Sequence, residues 1–206
     1  MYAQNDAQGD AHTSSRPKVF GVGMFRTGTT SLGLALQRLG YRATHKFWNQ
    51  LPRLAPYFDL DTRKFEPLAQ EIRARAERFN AFSDAPWLYL YRELDEWYPG
   101  SRFILTLRSS SEAVVKSEFA HWERAYVMKR WLAQEGYPPS PQRFIRRYEQ
   151  HNENVRAYFK DRPDDFLEIC FETEPEPWRR LCDFLHVDAV PDEPFPHANR
   201  APTTPA

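Results

Sequence analysis

The sequence predicts an α/β protein, a three-layer α/β/α fold around a mainly parallel sheet with a phosphate-binding loop after the first strand. Three observations carry this. Short apolar runs suited to buried strands alternate with amphipathic helical segments, which favours parallel strands joined by helical crossovers. A glycine-bearing segment stands between the first strand and the first helix, where backbone N–H groups can cradle an anion. The 206 residues, 41% hydrophobic and 27% charged, suit one domain with a sizeable core.

In order along the chain, residues 1–16 are polar and read as a disordered segment. Residues 17–200 form the expected domain, and the Pro- and Thr-rich residues 201–206 a disordered tail. Lys18 to Val22 is the first strand, followed by a helix with Leu32, Leu36 and Leu39 at helical spacing and Gly40 as its stop. Tyr41 to His45 is a short second strand. Leu68, Ile72, Ala76 and Phe79 mark one face of an amphipathic helix. Asn80 to Ser83 re-enters the sheet, and a helix is expected from about Trp87 to Tyr98. Arg102 to Leu107 is the clearest buried strand; beyond it Ser109 and Glu112 have capping-box spacing. Phe144, Tyr148, Val155 and Phe159 line a long helix, Phe166 to Phe171 is the last strand, and Trp178 to Leu185 the last helix.

Charge and composition narrow the function. Lys plus Arg and Asp plus Glu both number 28, so the net charge is zero. That balance argues against a nucleic-acid binder, which carries a basic excess. Two cysteines, Cys170 and Cys182, form no disulfide framework or metal motif and are read as buried thiols. The apolar runs are far too short to span a bilayer, and no apolar signal segment opens the chain, so the expected location is the cytoplasm. Oligomeric state is not written in the sequence.

The chemistry is concentrated in Gly23-Met24-Phe25-Arg26-Thr27-Gly28-Thr29-Thr30. The Walker pattern places Lys after its second glycine; here that position is Thr29. The positive charge comes instead from Arg26, whose planar fork can grip a phosphate bidentately. A nucleotide kinase would next need an acid ending a buried strand to organise Mg²⁺. The strand Phe103 to Leu107 ends in Arg108 instead, which suits a second phosphate. The pattern is that expected for a donor phosphorylated at both its 5′ and 3′ positions.

These residues resemble the sulfotransferase superfamily, P-loop NTPase-like in fold, and its small bacterial and fungal branch in particular. Phe25-Arg26-Thr27-Gly28-Thr29-Thr30-Ser31 is similar to that family's 5′-phosphosulfate loop, and Tyr98 to Arg108 to its second block. The resemblance implies 3′-phosphoadenosine-5′-phosphosulfate (PAPS) as donor and a small-molecule acceptor, with no metal demanded. It assigns donor binding to Phe25, Arg26, Thr27, Gly28, Thr29, Thr30 and Ser31 on the loop. Arg108 is the 3′-phosphate arginine and Ser117 its partner. Arg108 and Ser117 are nine apart where the family usually has eight, so Ser109 or a neighbouring serine is an alternative partner. Ser31 stands where cytosolic relatives carry an adenine-stacking tryptophan. Arg26 is also expected to stabilise the leaving bridge oxygen. The general base is Asp84, two residues before Pro86, or alternatively His45; a helix-capping Asp84 and a structural His45 are the competing readings. His151 is read as helix packing. The alternative functions are a P-loop kinase or NTPase using Mg-ATP, and a nucleotide-binding protein without turnover.

Overall fold

The structure is a computed structural model that describes residues 16–44, 66–124 and 140–198. Residues 1–15 and 201–206 of the expected disordered ends, and His45, lie outside the described residues. Five strands form one sheet: β1 (Val19–Gly21), β2 (Ala43–Thr44), β3 (Ala81–Phe82), β4 (Arg102–Thr106) and β5 (Phe166–Ile169). Their order is β2-β3-β1-β4-β5 and every pairing is parallel. Between them run α1 (Thr29–Arg38), α2 (Glu66–Arg78), α3 (Tyr91–Trp97), α4 (Ser111–Arg124), α5 (Pro141–Tyr158) and α6 (Pro177–Leu185).

The three layers follow from period-two alternation along the strands. Phe20, Phe82, Phe103 and Leu105 face one way and pack with Ile72, Ala76, Leu94, Val155 and Phe159 from α2, α3, α5 and the residue after α5. Val19, Ala81, Ile104, Leu167 and Ile169 face the other way onto α1 and α6, through Leu32, Leu36, Trp178 and Leu181. Phe103 is centred on the first face, with its ring 5.5 Å from Phe20 and 4.7 Å from Phe159. A sheet buried on both faces carries few polar residues inside its strands, which is why Arg102 to Leu107 is so plain in the sequence.

Local differences have local causes. The expected helix from Trp87 divides into a 3₁₀ turn, Trp87–Tyr89, and α3. Trp87, Leu88, Leu90 and Tyr91 are all buried around the break. Ser110, not Ser109, caps α4, its hydroxyl accepting from the Ala113 N–H at 3.1 Å. Cys182 is buried as expected, while Cys170 is only partly so.

The order of strands places a switch point between β1 and β4, whose carboxyl ends lie side by side in register Phe20↔Phe103 and Gly21↔Ile104. The chain leaves β1 against β4 with no room to spare. A Cβ at Gly23 would stand 2.1 Å from Thr106 Oγ1 and 2.5 Å from the Thr106 carbonyl oxygen. Gly23→Ala is therefore expected to destabilise the fold by about 1–3 kcal/mol or more, read as a shifted denaturation midpoint at unchanged m-value. Parent-like stability would mean that this approach does not exist.

Candidate active site

The loop from Gly23 to Gly28 is held from beneath and open above. Thr27 is buried, its hydroxyl donating to the Met24 carbonyl at 2.6 Å and lying 2.7 Å from Thr106 Oγ1. Its side chain therefore ties the loop to β4. Gly28 has φ +101°, a left-handed value for which glycine is the natural residue, and its bare Cα lets the Phe171 ring approach. α1 begins at Thr29 with no side-chain hydrogen bond capping it. The first N–H groups of a helix have no intrahelical partner, so this end carries donors and the positive pole of the helix dipole. Thr30 is partly exposed there, whereas Thr29 and Ser31 are buried. Ser31 Oγ accepts from the Ala198 N–H at 3.1 Å, fastening the C-terminal segment to the loop helix.

Arg26 also has a left-handed backbone, φ 68°, and its Nε donates to Ser117 Oγ at 3.2 Å. The structure thus pairs Ser117 on α4 with the loop arginine. Arg108, one residue beyond Leu107 at the exit of β4, donates from Nη2 to Glu172 Oε1 at 2.9 Å. Glu172 Oε2 accepts from the Ser109 N–H at 2.9 Å and the Ser109 hydroxyl at 2.8 Å. Burial pushes the Glu172 carboxyl up, but the Ser109 bonds and the Arg108 charge outweigh it and hold it below the usual carboxylate range. Arg108 Nε is buried with no hydrogen-bond partner among the described residues.

Asp84 ends the loop after β3, is 9% exposed, and adopts φ 76°. A non-glycine residue held in that region costs free energy and is found most often at functional sites. Its Oδ1 accepts from the Ala85 N–H at 3.1 Å, and its carbonyl accepts from the Leu88 N–H of the 3₁₀ turn at 3.4 Å. The Ala85–Pro86 peptide is cis. Tyr89 stands beside the loop and feels the Asp84 charge. Burial raises the Tyr89 pKa first; the Arg147 charge opposes this, and the Asp84 and Glu118 charges add to it. The Arg147 Nη2 donates to the Tyr89 hydroxyl at 3.4 Å, and the Tyr89 ring meets Phe25 edge-on at 6.4 Å.

The structure therefore brings Phe25, Arg26, Gly28, Thr30, Asp84, Arg108 and Ser117 to the carboxyl ends of β1, β3 and β4. The side chains of Thr27 and Ser31 also bond within the protein, to Met24 and Thr106 and to Ala198. Glu172, Tyr89 and Arg147 were not singled out from sequence. Glu172 follows β5 at a strand end, where the parallel-sheet rule would have pointed. Tyr89 and Arg147 carry no local signal, because they are 58 residues apart and meet only in the fold. His151, read as helix packing, meets the Tyr91 ring edge-on at 6.4 Å and also hydrogen-bonds through Nε2 to the Val22 carbonyl at 2.7 Å. Among the described residues no His, Cys, Asp or Glu cluster is placed to hold a metal ion, and no helix is long and apolar enough to cross a membrane.

The fold and this loop define a three-layer α/β protein with a glycine loop running into an uncapped helix after an inner strand. A family model described as a sulfotransferase domain matches residues 18–118 and 113–204. The chain belongs to that family, whose members transfer sulfate, and its acceptor is by implication a small molecule. No curated protein matches the chain.

Proposed function

We propose that the chain moves a sulfuryl group from PAPS to a hydroxyl or amine of a small-molecule acceptor. One observation supports this above the others: an arginine, Arg108, stands at the exit of β4 beside the β1 loop, where a Mg-nucleotide enzyme needs an acid. The loop N–H groups, with Thr30 at the α1 terminus, hold the 5′-phosphate, and Arg108 holds the 3′-phosphate. Glu172 engages one nitrogen of a guanidinium that carries five N–H donors, which leaves donors for a phosphate. The acceptor oxygen attacks sulfur while the bond from sulfur to the bridging oxygen breaks. The electron pair of that bond stays on the 5′-phosphate of the departing bisphosphate, and Arg26 answers the charge growing there. The acceptor proton passes to Asp84, or to His45 if Asp84 is only structural.

A thermal-shift comparison tests the donor. Adenosine 3′,5′-bisphosphate at about 100 times its Kd, without metal, should stabilise the protein by about 2.7 kcal/mol. For a chain of this size that is a rise of about 5–10 °C in Tm. A larger rise with Mg-ATP would sink the reading. Arg108→Ala should weaken the bisphosphate by about 1.5–3 kcal/mol more than adenosine 5′-monophosphate, the worth of a charged hydrogen bond. Equal weakening of both in calorimetry would remove Arg108 from the 3′-phosphate.

A further inference from the structure

One turn of α5 reaches the exits of the two neighbouring strands that carry the two anion-binding segments. The Tyr148 hydroxyl accepts the backbone N–H of Arg108 at 3.3 Å, at the exit of β4. Three residues on, His151 Nε2 lies 2.7 Å from the Val22 carbonyl, at the exit of β1 and immediately before the loop. A carbonyl only accepts, so the proton sits on Nε2. Between them, Glu149 accepts from the hydroxyl of Ser111, the first residue of α4, at 2.8 Å. Val22 has left the strand ladder at its carbonyl while its N–H still donates to Ile104 at 2.8 Å. The residue is fully buried, so without His151 that carbonyl would lose this partner inside the core. Burial, the largest influence on His151, lowers its pKa and keeps the ring neutral; the Val22 bond opposes this and the Arg147 charge adds to it.

We propose that Tyr148 and His151 act together as positioning residues that fix the spacing between the β1 loop and the β4 exit. A nucleotide with two phosphates then binds both at once, as a chelate. The inference rests on the donor reading above. When two sites are held at a set separation, a ligand spanning both gains affinity that a ligand touching one does not. Loosening α5 from either strand exit leaves each anion site with its own donors but spoils their separation. The penalty should therefore fall on the doubly phosphorylated nucleotide.

Calorimetry with adenosine 3′,5′-bisphosphate, adenosine 5′-monophosphate and adenosine 3′-monophosphate provides the test. His151→Leu should weaken the bisphosphate about tenfold or more and each monophosphate less than about threefold. His151→Gln, whose amide N–H can stand near the place of Nε2–H, should restore most of the loss. Tyr148→Phe keeps the ring and removes one hydroxyl; it should cost the bisphosphate about fivefold more than either monophosphate. That variant decides the matter if His151→Leu does not fold. Equal losses for all three nucleotides, or no loss, would reduce both residues to packing and overturn the inference. A parent that binds the bisphosphate no more tightly than either monophosphate would overturn the donor reading, and the chelate with it. If the parent shows the preference and the variants keep it, only the positioning role fails.

Discussion

Arg26→Ala should lower turnover by about 10²-fold or more while changing bisphosphate affinity only a few-fold. In the ground state the bridging oxygen carries little charge; in the transition state it gains the electrons of the breaking bond. A guanidinium placed there binds the transition state better than the donor, so its loss appears in kcat more than in affinity. Two structural features favour this role. The left-handed backbone of Arg26 is one that an arginine adopts at a cost, and its Nε is held by Ser117 on α4, which orients the fork. Arg26→Lys keeps the charge but loses the planar fork, and should recover only part of the turnover. Steady-state kinetics with bisphosphate binding measured in parallel decide this. Parent-like turnover in Arg26→Ala would remove the residue from the chemistry.

Asp84→Asn should also lower turnover by about 10²-fold or more, with Tm and bisphosphate affinity near those of the parent. The substitution is unusually clean at this position. Asn is among the few residues that tolerate the left-handed backbone Asp84 adopts, and its amide oxygen can still accept from the Ala85 N–H at the present 3.1 Å. Only the basic carboxylate is lost. The neighbouring Asp84, Glu118 and Arg147 charges around Tyr89 make this a charged corner of an otherwise apolar cluster built from Met24, Ala85, Leu88 and Phe144. A carboxylate at the end of a parallel strand is placed to take a proton from an acceptor hydroxyl. Retained turnover in Asp84→Asn together with its loss in His45→Ala would transfer the base to His45. A fall in Tm of several degrees would instead show that the carboxylate holds the turn in place.

The layers and the loop were legible because both are local signals. The apolar run through Phe103 to Leu105 is buried on both faces, so no polar residue interrupts it, and Gly23 and Gly28 sit where side chains would clash or strain. Arg26, Asp84 and Arg108 could be named for the same reason: each ends or follows a strand, and the ends of parallel strands face the ligand. Pairings between these residues were beyond the sequence. Ser117, Ser109 or a neighbouring serine was expected as partner of Arg108; α4 presents Ser117 to Arg26, 91 residues away in the chain, while Ser109 and Arg108 share Glu172, 64 residues beyond Arg108. Helical spacing says which side of α4 a serine occupies and is silent on which loop meets that side. His151 shows the same limit, since its spacing on α5 predicts packing and only the crossing of α5 over β1 delivers it to the Val22 carbonyl. Local pattern thus decided the elements and the chemical types at their ends. Tertiary packing decided partners, because a hydrogen bond forms within about 3 Å of space whatever the distance along the chain.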